Sequence, residues 1–283
     1  MRKLKLCTCY AKLFPVCLAL AILASCSKND NRIEVSPQPD NQSALTTNSN
    51  PANQANSTTF YGPVQQIGNG HVRSFGKLEA QTNKPLLIGF EITAGGLQNL
   101  PNGDHHTSYV VPLHPQVKSA SIFDHLVADW NPYGHEPGPY LPAHFDFHFY
   151  MLTLSQRLAI TATDTLSLMP LPTGYLPVGY IGPIGPEPQM GGHCVDLYSP
   201  ELGVFAPPVP FTHTFIYGAY NGKVAFYEPM VTLNYMLNNT GTFNIKQPVY
   251  FSKTGYFPTK YSILNENGKR TVVLSEFVYH TAN

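Results

Sequence analysis

Apolar and polar residues alternate along several short stretches of this chain, whereas no apolar stripe with the 3.6-residue period of a helix persists beyond Phe60. Alternation with a period of two is typical of β-strands that bury one face. A single helical turn is predicted at Gln156–Ala162. The alternation predicts strands over Leu86–Thr93, His144–Tyr150, Phe211–Tyr220, Lys223–Leu233, Tyr261–Leu264 and Arg270–Val278.

Turn residues separate these stretches. Asn221-Gly222 and Asn267-Gly268 each lie between two predicted strands, and Asn-Gly is the strongest short sequence signal for a β-hairpin. Residues Pro170–Pro188 carry so many prolines that an extended loop is predicted there, because proline is disfavoured in helices and central strands. The signals together predict an all-β fold, either an antiparallel β-sandwich or an open barrel, with long Pro- and Gly-rich loops and little helix.

The start of the chain has the features of an export signal. Basic residues are followed by an apolar run over Leu13–Ala24, which is shorter than the ~20 residues that a membrane-spanning helix needs. The sequence Leu-Ala-Ser-Cys at the end of this run matches the bacterial lipobox, in which small residues precede a cysteine that is lipidated. Residues 1–25 are therefore predicted to be a lipoprotein signal peptide and Cys26 the lipidation site. The alternative is an ordinary signal peptide with a chance cysteine.

The segment after Cys26 is predicted to be a tether. Residues 27–59 are rich in Asn, Gln, Ser, Thr and Pro and contain no aromatic residue, so they cannot bury enough apolar surface to offset the entropy lost on ordering. We expect residues 26–59 to be a lipidated, disordered linker and residues 60–283 to form a single β-rich globular domain. This organisation predicts a lipid-anchored protein of the bacterial cell envelope, either periplasmic or surface-exposed.

Charge and cysteine content narrow the classes of function. Lys+Arg and Asp+Glu number 17 each and charged residues are only 12% of the chain, which argues against nucleic acid, a partner that demands a basic surface. Of the five cysteines, three would leave with the signal peptide and Cys26 would be acylated. Because Cys194 alone remains in the domain, an internal disulfide and a cysteine-rich zinc site are excluded, and Cys194 is expected to be a small buried apolar residue.

The densest group of histidines lies in Trp130–Tyr150, which reads WNPYGHEPGPYLPAHFDFHFY. His144, Asp146 and His148 lie two residues apart in its predicted strand, so they share one face, while the alternating phenylalanines point into a core. Burying ionisable side chains beside a phenylalanine-rich core costs free energy unless their face is exposed to water or the side chains coordinate a ligand. The pattern therefore indicates a functional site.

The chemistry of these side chains predicts a metal site. Along a straight strand His144 and His148 are about 13 Å apart, so one of them is expected to bind the ion and the other to orient a ligand. Imidazole and carboxylate ligands without thiolate suit Zn, Mn, Fe or Ni, and Glu136 is the nearest candidate general base. The alternative is a hydrogen-bonded polar network without an ion. The candidate ligands, all expected at one site, are His135, His144, Asp146, His148, His193 and Glu228.

Four motifs, WNPYGHEP, PAHFDFHFY, MGGHCVD and FYEPMVT, occur in this order between Tyr61 and His280. Their order and spacing resemble those of a family of uncharacterised bacterial secreted proteins and lipoproteins, defined by a domain of unknown function. Cys194 departs from the family pattern, which usually has an aromatic residue there. The resemblance implies an oligomer-prone, β-rich domain and implies no activity. The recurring family motifs fall here on Gly134–Pro137, His144–His148, Met190–His193 and Glu228–Met230.

These observations support two functions from different classes. The first is a membrane-anchored lipoprotein whose β-domain carries a metal site; if it is an enzyme, the expected class is a metal-dependent hydrolase or oxidoreductase. The second is a non-enzymatic binding or structural module of the cell envelope with a metal-free polar network. The expected partners are the membrane, through the lipid on Cys26, a small-molecule ligand of unknown identity and a second copy of the chain, and no nucleic acid.

Overall fold

The alternating segments form antiparallel strands that build two sheets of seven strands each. The computed structural model describes residues 56–103, 105–135 and 138–283. The predicted signal peptide, Cys26 and nearly all of the predicted tether lie outside the described residues, as does Glu136. The first strand begins at Ser57, shortly before the predicted start of the domain.

The strands are β1 Ser57–Tyr61, β2 Gln65–Ile67, β3 Gly70–Glu79, β4 Pro85–Thr93, β5 Thr107–Pro112, β6 His125–Asn131, β7 His144–Tyr150, β8 Tyr180–Glu187, β9 Gly191–Asp196, β10 His213–Tyr220, β11 Lys223–Thr232, β12 Gly241–Asn244, β13 Gly255–Glu266 and β14 Lys269–His280. One sheet has the order β1-β3-β4-β14-β13-β12, with β2 also paired to β3. The other has the order β5-β6-β7-β11-β10-β9-β8. Short α-helices lie between strands as α1 Pro115–Ala120, α2 Leu154–Leu158 and α3 Leu233–Asn238.

The two sheets pack face to face. The ring centroid of Phe90 in β4 lies 4.9 Å from that of Phe147 and 5.3 Å from that of Phe149, both in β7 of the other sheet. Aromatic and aliphatic side chains from both sheets fill the space between them, and their burial is the main source of stability in such a fold. The fold is therefore a sandwich, one of the two predicted architectures, and not a closed barrel.

Both predicted hairpins are confirmed. Asn221 and Gly222 have φ angles of 52° and 69° and connect β10 to β11. Asn267 and Gly268 have φ angles of 51° and 72° and connect β13 to β14. A positive φ at both central residues is the conformation that an Asn-Gly hairpin turn requires.

The prediction of an extended loop over Pro170–Pro188 is wrong for its second half. Residues Tyr180–Glu187 form β8, which pairs with β9 at the edge of its sheet. An edge strand tolerates proline because one row of its backbone groups has no neighbouring strand to bond. The proline content of this segment therefore marks an edge strand rather than a loop throughout.

The predicted helical turn at Gln156–Ala162 lies slightly earlier in the chain, as α2 at Leu154–Leu158. The hydroxyl oxygen of Thr153 accepts a hydrogen bond from the backbone N–H of Gln156, whose side chain accepts one from the backbone N–H of Thr153. This capping box fixes the start of the helix. Within the described ranges, no helix is long and apolar enough to cross a membrane.

Candidate metal centre

β7 lies between β6 and β11 near the middle of its sheet, and every residue in it is buried. Its phenylalanines pack between the sheets, as the alternation predicts. His144, Asp146 and His148 occupy the opposite face, with exposed fractions of 0%, 2% and 0%. The ring of Phe211 packs against His144 and that of Phe226 against His148. This face is therefore covered rather than wet, and its polar groups need partners from the protein or from a bound ion.

Three candidate ligands from three strands form one group, which we call site 1. His148 of β7, His193 of β9 and Glu228 of β11 offer ligand atoms that all lie within 4.8 Å of one another. Nε2 of His148 is 3.7 Å from Oε1 of Glu228, and Nε2 of His193 is 3.6 Å from Oε2 of Glu228. These distances exceed those of hydrogen bonds. They are close to the roughly 3.3–3.6 Å that separates two ligands of a tetrahedral zinc ion with ordinary bond lengths.

Strand register and one small residue bring site 1 together. In β10, Gly218 lies opposite His193 of β9, and on its other side it lies opposite Phe226 of β11. A Cβ atom at Gly218 would lie only 2.1 Å from the Phe226 ring. That ring in turn packs against both histidines of the site, with centroid distances of 4.9 Å to His148 and 5.5 Å to His193. The absence of a side chain at Gly218 therefore makes room for the ring that fixes the two imidazoles.

The remaining candidate ligands form a second group, which we call site 2. His135, His144 and Asp146 also offer ligand atoms within 4.8 Å of one another. Nε2 of His135 is 3.0 Å from Oδ2 of Asp146, and Nε2 of His144 is 3.1 Å from Oδ1. The side chain of His135, in the loop between β6 and β7, is 45% exposed, whereas the other two are buried. Site 2 therefore has one ligand at the surface and two in the interior.

The structure divides the predicted ligands between two groups, whereas the sequence predicted one shared site. Asp146 and His148 share a face of β7, but they are about 6.6 Å apart along a straight strand and so contact different partners. His144 and His148 each belong to a group of their own, and neither is left only to orient a ligand of the other. The predicted general base, Glu136, lies outside the described residues.

Two buried polar residues of β6 complete these sites and were not predicted. Oδ2 of Asp129 lies 3.1 Å from Nδ1 of His148, and the side-chain amide of Asn131 donates a hydrogen bond to Oδ2 of Asp146 at 2.8 Å. Asp129 and Asn131 are two residues apart, which is the same spacing that identified the polar face of β7. The signal was obscured because the three residues before Asp129, Leu126–Ala128, form an unbroken apolar run, so the alternation covers only the last four residues of β6.

Burial dominates the electrostatics of site 1. It raises the pKa of Glu228 well above its usual range, and the carboxyl groups of Asp146 and Asp129 raise it further. Burial also lowers the pKa of His193 to about 4, with His148 adding to the effect. Both shifts favour the uncharged form of the side chain, a carboxylic acid at Glu228 and a neutral imidazole at His193.

Charge pairing dominates the electrostatics of site 2. Burial alone would raise the pKa of Asp146, but His144 and His135 beside it outweigh burial and hold its pKa well below the usual range. Burial would likewise lower the pKa of His135, but its hydrogen bond to Asp146 and the negative charge of nearby carboxylates together outweigh burial and raise the pKa. Site 2 therefore stabilises an ionised carboxylate between two imidazoles.

Comparison with models of protein families, with curated proteins and with solved structures finds no match to this chain. The two sites themselves carry the chemical information. Each combines two imidazoles and one carboxylate in an arrangement that could hold a divalent metal ion.

Proposed function

We propose that this chain is an exported lipoprotein whose β-sandwich binds a divalent transition-metal ion at site 1. The observation that carries the proposal is the spacing of His148, His193 and Glu228, whose facing atoms are too far apart for hydrogen bonds and suitably placed for one ion. Among the described residues, Nε2 of His148 and Oε2 of Glu228 have no hydrogen-bond partner although both are buried. A buried polar group left unpaired costs about 1–3 kcal/mol, and an ion would satisfy both atoms.

The ligand set supports a borderline metal and an open coordination position. Two imidazoles and a carboxylate suit Zn, Mn, Fe or Ni. Three protein ligands leave a position for water or another ligand, which is the arrangement of catalytic rather than structural zinc sites. The side chain of His193 is 19% exposed, so a small molecule has an approach on that side. In an enzyme, such an ion would serve a hydrolase or an oxidoreductase, and Glu136 as general base stays a prediction.

The alternative is a non-enzymatic binding or structural module whose polar residues form a network without an ion. The hydrogen bonds that Asp146 makes with Asn131 and His135 favour it, because they satisfy part of the polar face by protein groups alone. These bonds lie in site 2, whereas in the described part of the chain Nε2 of His148 and Oε2 of Glu228, both in site 1, make none. The metal content of the purified protein separates the two functions.

The metal-binding part of the proposal is tested on full-length protein prepared without a histidine tag and dialysed against metal-free buffer without chelator. We expect stoichiometric metal by mass spectrometry. His193→Ala should lose the ion of site 1, because His193 is one of its ligands and its partial exposure limits damage to the fold. The control is His71→Ala, in β3 of the other sheet, which should retain it. Equal metal content in His193→Ala and wild type would exclude site 1.

The anchoring part of the proposal rests on the lipobox-like sequence and on the resemblance to a lipoprotein family. Cys26→Ser should leave an unprocessed precursor or release the domain from the membrane fraction, because this side chain would carry the lipid. The matched control is Cys17→Ser, inside the predicted signal peptide, which should be processed and anchored normally. Unchanged membrane partition and processing of Cys26→Ser would rule out lipidation while leaving the metal site untouched.

A further inference from the structure

The backbone holds His144 of site 2 in one tautomer. Its Nδ1 lies 2.7 Å from the carbonyl oxygen of Pro142. A carbonyl oxygen can only accept a hydrogen bond, so Nδ1 must carry the proton and donate it. In the neutral ring, Nε2 therefore carries a lone pair.

That lone pair faces another acceptor. Nε2 of His144 lies 3.1 Å from Oδ1 of Asp146, and the two side chains are 0% and 3% exposed. Neither atom has a hydrogen-bond partner within the described ranges. Two acceptors at this distance repel each other unless a cation lies between them, and the cation can be a proton on Nε2 or a metal ion.

The rest of site 2 favours a metal ion. The Asn131 amide donates to Oδ2 of Asp146, which keeps the carboxylate from rotating away from His144. His135 adds a second imidazole, so the site has the same set of donors as site 1. Ligands of one zinc ion lie roughly 3.3–3.6 Å apart, so the 3.0 and 3.1 Å separations here need to open by only a few tenths of an ångström.

We propose that His135, His144 and Asp146 bind a second divalent transition-metal ion, which exchanges with solvent faster than the ion of site 1. The difference in exchange follows from where the ligands lie. All three ligands of site 1 belong to strands, whereas His135 lies in a half-exposed loop position and can swing away from the ion. Site 2 uses no ligand of site 1, so this inference stands or falls separately from the proposed function.

The test counts zinc ions bound to full-length, tag-free protein that is stripped with a chelator and then dialysed against excess Zn²⁺. Wild type and the His71→Ala control should each hold two ions. His135→Ala and His193→Ala should each hold one, and the double variant none. His135 is exposed enough for its replacement to spare the fold. Release of zinc from the wild type to a chromogenic chelator should show a fast and a slow phase. Release from His135→Ala should lack the fast phase.

Each departure from these counts identifies which site is wrong. Site 2 binds no metal if the wild type and His135→Ala hold the same number of ions, whether two each or one each. In that case a proton lies between His144 and Asp146. If His193→Ala still holds as many ions as wild type, the proposed function fails at site 1. A single-phase release from a wild type that holds two ions would overturn the difference in exchange.

Discussion

Oδ2 of Asp129 lies 3.1 Å from Nδ1 of His148, and neither side chain has any exposed surface. The two atoms lie at hydrogen-bonding distance without the geometry of a hydrogen bond, and a small rotation of the imidazole would let Nδ1 donate to the carboxylate, with the lone pair of Nε2 then directed towards Glu228. A carboxylate that orients a metal-binding histidine in this way also increases its basicity. Asp129 is therefore expected to set the affinity of site 1 without touching the ion.

The first prediction concerns this carboxylate. Asp129→Asn should weaken zinc binding at site 1 about 10- to 100-fold, because an amide can donate to Nδ1 and turn the proton of His148 towards the ion. The titration is a competition with a chromogenic chelator, carried out in the His135→Ala background so that site 1 alone is observed. The control is Asp124→Asn just before β6, where the carboxylate contacts Lys118 and His125, neither of which belongs to site 1. An unchanged affinity in Asp129→Asn would remove Asp129 from the site.

The second prediction concerns removal of the ion. A ligand that binds only the folded state stabilises it by about 2.7 kcal/mol when its free concentration is 100 times Kd, so a chelator should lower the thermal midpoint of the wild type. The thermal midpoint of His193→Ala in the His135→Ala background should not change when chelator is added. Histidine and carboxylate ligands bind metal only when deprotonated. The decrease in thermal midpoint that the chelator causes in the wild type should therefore become smaller as the pH falls below neutral. A response that grows at acid pH would contradict the assigned ligands.

The sequence predicted β7 with the bounds that the structure has, because the alternation in HFDFHFY is unbroken and its apolar positions are all phenylalanine. It also predicted that His193 and Glu228 lie at the same site as His148, and the structure brings the three side chains together. It did not predict how the candidate ligands divide between the two groups, because that depends on strand register. Met230 lies opposite Asp146, which leaves Glu228 beside His148, and local sequence does not specify this pairing.

Other features were hidden for different physical reasons. Asp129 follows the unbroken apolar run Leu126–Ala128, so the alternation in β6 covers only its last four residues, the shortest stretch that indicates a half-buried strand. β8 was hidden because proline, normally a sign of a loop, is tolerated at a sheet edge. The position of β8 within the sheet is a property of the whole fold and is not specified by its own residues.

The third prediction concerns Cys194. The side chain is fully buried, and burial raises the pKa of its thiol to about 12. An ordinary thiol has a pKa near 8.5, so at pH 8 the thiolate fraction of Cys194 should be roughly 10³-fold smaller. Peptide mapping after brief treatment with a thiol reagent should find Cys194 unlabelled in native protein and labelled after denaturation. The matched control, Ser119→Cys on the exposed side of α1, should be labelled at once in native protein. Rapid native labelling of Cys194 would mean that the core opens readily beside β9.

The fourth prediction concerns the tip of the β13–β14 hairpin. Gly268 has a φ of 72°, and no atom lies within 4 Å of the position that a Cβ would take, so Gly268→Ala adds backbone strain without a steric clash. The left-handed conformation costs an L-residue about 1–2 kcal/mol, and the free energy of unfolding should fall by that amount.

Gly103 has equally open surroundings but no positive φ, so Gly103→Ala should stay within about 0.5 kcal/mol of wild type. The free energy of unfolding of each variant is measured by denaturant unfolding, followed by the fluorescence of Trp130, the single tryptophan. Equal stability of the two variants would show that the hairpin tip can adopt another turn at no cost.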